Sequence, residues 1–154
     1  MTYRIEPLNK TEFAPLFDMT DAELAARNAC RVIADGPGFP CRVSLRDADA
    51  GDSLILVNHI SHDVQTPYRS AYAIYVREQA ETADAYVDRT PPVFEGRPIA
   101  LRAFDDDGML RTAAIAMPGQ ADTAIRNLFA RPDIAYIHAH NAAHGCYSCR
   151  IERD

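Results

Sequence analysis

The amino-acid sequence predicts an α+β protein with a mainly antiparallel β-sheet, open or partly closed, and a helix near each end of the chain. Short segments rich in β-branched and aromatic residues recur along the 154 residues, separated by Gly- and Pro-rich turns. Two of them, 99–104 and 109–116, flank Asp105-Asp106-Asp107-Gly108, which is typical of a hairpin turn. Hairpin-linked strands with few helices between them favour antiparallel pairing.

Two helices are predicted from capping and periodicity. Thr20 followed by Glu23 is a capping-box pair, so a helix is expected to begin there and to end near residue 28. Residues 120–131 form the strongest helical pattern, and Pro132 follows directly. The apolar face of this second helix would carry Ala121, Ile125, Leu128 and Phe129.

The other predicted strands alternate or concentrate apolar residues between turn signals. The Gly- and Pro-rich stretch 35–40 is such a turn, and the stretches 61–70 and 83–97 are expected to be loops. The strands are expected at 2–8, 41–45, 53–58, 71–76 and in a C-terminal hairpin that turns at 141–143.

Composition limits the partners and the location of the protein. The net charge is −6 and the 16 Lys and Arg residues are scattered, which argues against nucleic-acid binding. No apolar stretch approaches the roughly 18 residues of a membrane span, and the first residues do not resemble a secretion signal. We therefore expect one globular domain over residues 1–154, in the cytoplasm, with no nucleic-acid or membrane partner and with reduced thiols.

The terminal hairpin contains three of the five histidines and two of the four cysteines. Alternation along its two strands would separate a polar face from an apolar one. The polar face is expected to carry Tyr136, His138, His140, His144, Cys146, Ser148 and Arg150. The apolar face is expected to carry Ala135, Ile137, Ala139, Tyr147, Cys149 and Ile151.

The polar face suggests a metal site. If His140 lies opposite His144, then His138 lies opposite Cys146. Opposite Cβ atoms are about 4.5–5.5 Å apart, and zinc takes N and S ligands at roughly 2.0–2.3 Å. The sequence thus predicts zinc or another transition metal bound by these four residues. Four protein ligands would make the site structural, and three with an open position would make it catalytic.

Three arginines are candidate ligand-binding residues. Arg42 and Arg46 would share one face of the predicted strand 41–45, and Arg150 lies on the histidine face of the hairpin. Converging guanidinium groups bind a carboxylate or a phosphate through forked hydrogen bonds. The alternative is that these arginines are structural and pair with nearby acids, namely Asp47, Asp49 or Asp52.

Two shorter motifs are weaker indications. His59 and His62 have His-x-x-His spacing after a predicted strand, where exposed histidines at the start of a loop are expected unless that loop covers the hairpin. Cys146 and Cys149 form a Cys-x-x-Cys pair, but no helix follows to activate a thiol, and in a strand the two side chains would lie on opposite faces.

Several segments together resemble the bacterial family catalogued as domain of unknown function 1203. The most specific are Pro37-Gly38-Phe39-Pro40-Cys41-Arg42 and the late Gly145-Cys146-Tyr147. The resemblance spans nearly the whole chain and implies a stand-alone bacterial protein of about this length. It implies no activity. The other segments that carry it are Leu45-Arg46-Asp47-Ala48, Pro67-Tyr68, Ala73-Ile74-Tyr75-Val76 and Arg150-Ile151-Glu152-Arg153.

Three functional hypotheses remain open from the sequence. The first is a metal- or small-ligand-binding domain whose His/Cys site lies on the terminal hairpin, with a small molecule or an anion as the partner. The second is a non-enzymatic interaction protein without metal, in which the hairpin face forms a homodimer contact. The third is a purely structural hairpin. No nucleotide, hydrolase or EF-hand motif is present, so no reaction is predicted.

Overall fold

The computed structural model describes residues 1–154 and contains two open, antiparallel β-sheets. The six-stranded sheet has the order β5–β1–β9–β8–β6–β7 and the three-stranded sheet the order β2–β3–β4. The predicted α+β class and antiparallel pairing are therefore confirmed. The strands are β1 (Tyr3–Glu6), β2 (Ala29–Ile33), β3 (Ser53–His62), β4 (Ser70–Arg77), β5 (Tyr86–Val87), β6 (Ile99–Phe104), β7 (Leu110–Ala116), β8 (Tyr136–Asn141) and β9 (Tyr147–Arg153).

The helical segments are short and lie near both ends of the chain, as predicted. They are α1 (Ala14–Phe17), α2 (Asp21–Ala25) and α3 (Ala121–Phe129), with 3-10 turns at Lys10–Glu12 and Pro92–Phe94. Thr20 caps α2, since its hydroxyl accepts the Glu23 N–H at 3.2 Å. The predicted apolar face of α3 is buried. None of these helices has the length and hydrophobicity that crossing a membrane requires.

The hairpin β6–β7 forms around the predicted acidic turn. Gly108 adopts a φ of +81°, and a Cβ atom there would lie 2.9 Å from Cγ1 of Val64. The Thr66 hydroxyl also donates to the Gly108 carbonyl at 3.2 Å. Only glycine satisfies both the backbone angle and the close approach. The connection between β3 and β4 is thus packed against this turn.

The predicted strand at 41–45 is wrong, because this segment is a tight turn. The Leu45 N–H donates to the Cys41 carbonyl at 3.0 Å, and Leu45 has a φ of +52°. Strand alternation therefore does not apply. Arg42 and Arg46, expected on one face, diverge: Arg42 is 1% exposed and Arg46 lies on the surface. The sequence analysis also missed β2, which follows α2 almost at once.

Two apolar clusters hold the molecule together. The larger one lies between α3 and one face of the six-stranded sheet, and includes Ile125, Ile137 and Ile151. The second contains residues of the three-stranded sheet and of the N-terminal helical segments, and also Tyr147 from β9. Tyr147 therefore joins the two sheets. The candidate functional site lies where the two sheets meet.

Candidate functional site

The terminal hairpin forms as β8 and β9, with a register that differs from the prediction. His138 pairs with Arg150, and His140 pairs with Tyr147. The ladder shifts between Ala139 and His140, so Ser148 is an extra residue in a β-bulge. The turn is longer than expected. Its ends are joined by hydrogen bonds from the Asn141 N–H to the Cys146 carbonyl at 2.9 Å and from the Gly145 N–H to the Asn141 carbonyl at 2.8 Å.

The bulge moves Tyr147 from the predicted apolar face to the histidine face. A single extra residue reverses the direction of every side chain beyond it. The Tyr147 ring accordingly lies 5.1 Å from the His138 ring and 5.8 Å from the His140 ring, measured between centroids. The predicted positions of Ile137, Cys149 and Ile151 in the apolar core are correct, because the pairing there is regular.

The predicted rectangle of four metal ligands does not form. His138 and His140 are 2% and 4% exposed, whereas His144 is exposed in the turn and Cys146 comes directly before the first residue of β9. No three His, Cys, Asp or Glu side chains are grouped so that they could hold a metal ion. Zinc or another transition metal at the hairpin stays a prediction for which this geometry supplies no ligand set.

The histidine face is covered by β3 of the same chain. The Tyr68 carbonyl accepts a hydrogen bond from His62 Nδ1 at 2.9 Å, so Nε2 accepts the Tyr136 hydroxyl at 2.6 Å. The His62 ring centroid lies 5.0 Å from that of His138. His62 was expected in an exposed loop, but β3 extends through it and buries it. The rings of His138 and His140 are therefore enclosed within the chain, whereas His144 is exposed, and the homodimer contact stays a prediction.

The two buried histidines of β8 are neutral at physiological pH. Burial, with smaller contributions from the nearby His62 and Arg150, lowers the pKa of His138 to about 2. Burial also lowers the pKa of His140 to about 4, although a hydrogen bond with the Gly145 carbonyl acts in the opposite direction. Arg102 and Arg42 contribute to the same decrease at His140. Burial, more than the neighbouring cations, therefore keeps both imidazoles uncharged between the sheets.

Arg42 is a fully buried cation without a carboxylate partner. Its backbone is fixed, because its N–H donates to the Tyr75 carbonyl at 3.0 Å and its carbonyl accepts the Leu8 N–H at 3.0 Å. Its Nη2 lies 3.1 Å from the sulfur of Cys146, whereas Nε and Nη1 have no hydrogen-bond partner. A guanidinium stays charged in proteins, and burying it costs several kcal/mol unless something compensates it.

A cavity of about 240 Å³ opens beside Cys146. Its polar wall comes from the hairpin turn and consists of Asn141, His144 and Cys146. Asn141 is 7% exposed and its Oδ1 has no donor. The remaining wall is largely apolar and comes from the 38–40 turn, β3 and β4. It consists of Gly38, Pro40, Leu56, Tyr72, Ala73 and Tyr75.

The other two predicted arginines lie elsewhere. Arg46 borders a separate surface groove together with Arg77 and Arg89. Arg150 donates from Nε to Glu152 at 2.6 Å, and its guanidinium lies 3.8 Å from the centre of the Tyr136 ring. The predicted pairing of the arginines with Asp47 is not seen, because Asp47 binds Arg97 at 2.8 Å. Of the three candidates, only Arg42 reaches the hairpin turn.

Comparison with protein families bears on this contact. A family model described as "Protein of unknown function (DUF1203)" matches residues 38–153. The chain belongs to the DUF1203 family. No curated protein and no solved structure matches it. In this DUF1203 protein, the two most specific segments of the resemblance, 37–42 and 145–147, meet at the contact between Arg42 and Cys146.

The sequence pattern predicts His144 and Cys146 together as metal ligands and Arg42 as a separate candidate, and it gives no sign of the rest of the cavity. Asn141 was read only as a turn residue, and Tyr72 and Tyr75 only as strand residues. The available signal was the resemblance itself, since its two most specific segments each supply one residue of the contact. Arg42 and Cys146 are 104 positions apart along the chain, so nothing in the sequence alone indicates that their side chains are in contact.

Proposed function

We propose that this DUF1203 protein binds a small organic acid in the cavity beside Cys146. The observation that carries the proposal is the Arg42 guanidinium, which is buried without a carboxylate and contacts the sulfur of Cys146, a residue that lines the cavity. A buried charge is tolerated when a counter-charge is supplied, and a bound carboxylate would supply one.

The surroundings of the cavity support an anionic ligand over a neutral or cationic one. The charged side chains that act on His140, at the base of the hairpin turn, are those of Arg102 and Arg42. Neither of them is a carboxylate. A negative ligand would thus enter a region of uncompensated positive charge, and the low dielectric of the interior would strengthen its attraction to Arg42.

The residues that line the cavity indicate which groups the ligand has besides its carboxylate. Tyr72, Tyr75 and Leu56 offer an apolar surface for a short hydrocarbon chain or a ring. Asn141 and His144 face it from the hairpin turn and supply hydrogen-bonding groups. The cavity, at about 240 Å³, is smaller than the roughly 300–1,000 Å³ of pockets for drug-sized molecules. These features favour a small carboxylic acid with one apolar end.

A panel of aliphatic and aromatic carboxylic acids tests the proposal, with the corresponding neutral amides and organic phosphates alongside. Binding is measured by thermal shift and then by calorimetry, because a ligand of the native state raises its stability. We expect acids to stabilise the protein and their amides to have no effect. Arg42→Met should abolish binding, and the matched surface variant Arg46→Met should retain it.

The absence of any binding acid, or equal binding by Arg42→Met, would contradict the proposal. Circular dichroism of each variant establishes that the loss of binding does not come from loss of the fold. Phosphates that bind where carboxylates do not would contradict the ligand class proposed here.

A further inference from the structure

We infer that Cys146 is a site of reversible oxidation by hydroperoxides, made reactive by Arg42. The inference goes beyond ligand binding. It stands on the contact between the Arg42 Nη2 and the Cys146 sulfur, whether or not the cavity also binds an organic acid.

The contact places a cation directly beside the Cys146 sulfur. The thiolate is the species that attacks electrophiles, and an adjacent guanidinium stabilises a thiolate more than a thiol. Arg42 lies 3.1 Å from the sulfur and has no carboxylate to neutralise it. The Cys146 sulfur is the one hydrogen-bond partner of the guanidinium, and a sulfur can take up a negative charge.

Cys146 also differs from the other three cysteines in access and surroundings. It is partly exposed and lines the open cavity. Cys41 and Cys149 are fully buried, and burial raises the pKa of the Cys149 thiol to about 12. Cys30 is exposed on the edge strand β2, and no arginine lines the shallow cavity beside it. Only Cys146 combines access with a cationic neighbour.

The reaction balances with a hydroperoxide as the oxidant. The thiolate sulfur attacks the O–O bond, an S–O bond forms and the O–O bond breaks. The leaving alkoxide or hydroxide takes up the proton that the thiol released. Cys146 becomes a sulfenic acid, and the hydroperoxide becomes an alcohol or water. The new oxygen would lie beside Arg42, whose Nε and Nη1 have no acceptor at present.

The product would also persist, because no other thiol is placed to capture it. Cys149 belongs to the apolar cluster under α3, on the opposite side of the sheet. Cys41 is buried, and its sulfur accepts the N–H groups of Ser44 and Arg77. The sulfenic acid would therefore return to the thiol through an added small thiol.

The experiment uses a Cys30→Ser background, in which Cys146 is the one exposed thiol. The protein is treated with hydrogen peroxide at pH 7, sulfenic acid is trapped with dimedone, and peptide mass spectrometry locates the adduct. We expect an adduct on Cys146 that dithiothreitol, added before dimedone, prevents. Adding Arg42→Met should slow adduct formation about tenfold, since the sulfur loses its cationic neighbour, whereas Arg46→Met should leave the rate unchanged.

A second comparison needs no arginine variant. In the unmodified chain, Cys146 should form the adduct faster than the exposed Cys30. No adduct on Cys146, an equal rate at Cys30, or an unchanged rate in a folded Arg42→Met variant would each overturn the inference. None of these results depends on an organic acid, so they are separate from failure of the proposed ligand binding.

Discussion

The two faces of the β8–β9 hairpin are both buried, and yet they have opposite chemistry. Toward α3 the hairpin presents Ile137, Ala139 and Ile151, which pack in the larger apolar cluster. Toward β3 it presents His138, His140 and Tyr147, with Arg42 at its turn. An apolar face lowers the free energy of the native state through burial alone. A polar interior with unpaired groups raises that free energy, which suggests that it is retained for another reason.

The two faces therefore divide the work of the hairpin: the face toward α3 stabilises the fold, and the face toward β3 carries the candidate site. On the face toward α3 the side chains are apolar, so no buried polar group there requires a ligand. The bulge at Ser148 and the turn at 41–45 break strand alternation on the other side and bring an arginine, a cysteine and a tyrosine together. Substitutions on the two sides should therefore have unlike effects.

The largest loss of stability is expected on the apolar side. Ile125 of α3 is completely buried. Ile125→Ala removes buried methyl and methylene groups and leaves a cavity, which should cost about 2–5 kcal/mol of unfolding free energy. Urea unfolding followed by circular dichroism measures this. Ligand binding by the folded fraction should be unchanged, and a loss below about 0.5 kcal/mol would show that α3 contributes little to the core.

The polar side should make the protein sensitive to acid. The unfolded chain binds a proton at each histidine below about pH 6.5, whereas native His138 and His140 exclude it, with pKa values of about 2 and about 4. The stability that these two histidines contribute to the native state is fully present above pH 6.5, and it is lost as the pH falls toward their native pKa values. The slope is roughly 1.4 kcal/mol per pH unit for each histidine.

His138→Phe tests that slope, because phenylalanine keeps an aromatic ring in the cluster and cannot titrate. Between pH 6 and pH 4.5 the dependence of unfolding free energy on pH should weaken by about 1.4 kcal/mol per unit relative to wild type. His144→Phe, at an exposed position of the same hairpin, is the matched control for the introduction of a phenyl ring. An identical slope in His138→Phe would mean that native His138 is protonated.

The smallest effect on stability is expected at the mouth of the cavity. His144 is exposed and lines the cavity together with Asn141 and Cys146. His144→Ala should change the unfolding free energy by no more than about 0.5 kcal/mol. It should nevertheless weaken binding of the organic acid, measured by calorimetry. Destabilisation as large as that of Ile125→Ala would place His144 in the fold and not in the site.

The sequence predicted the helices, strands and turns better than it predicted the contacts between their side chains. Thr20, the acidic turn at 105–108 and the apolar stripe of α3 are local signals, and each formed as expected. The bulge at Ser148 and the turn that contains Arg42 are set by tertiary packing, and each reversed the direction of the side chains that follow. The candidate site depends on those two irregularities. Its residues could be named from the sequence, but their arrangement could not.

The measurement that tests the central claim most directly is the equilibrium unfolding of Arg42→Met. When a buried guanidinium is paired with a carboxylate, removing it lowers the unfolding free energy by about 3–5 kcal/mol, because the carboxylate is left unpaired. When a buried guanidinium has no carboxylate partner, replacing it by an apolar side chain of similar length costs no stability. We predict that Arg42→Met is as stable as the wild-type protein, or more stable by up to about 4 kcal/mol. A loss of about 3 kcal/mol or more would show that Arg42 stabilises the fold, and would contradict its assignment to the site.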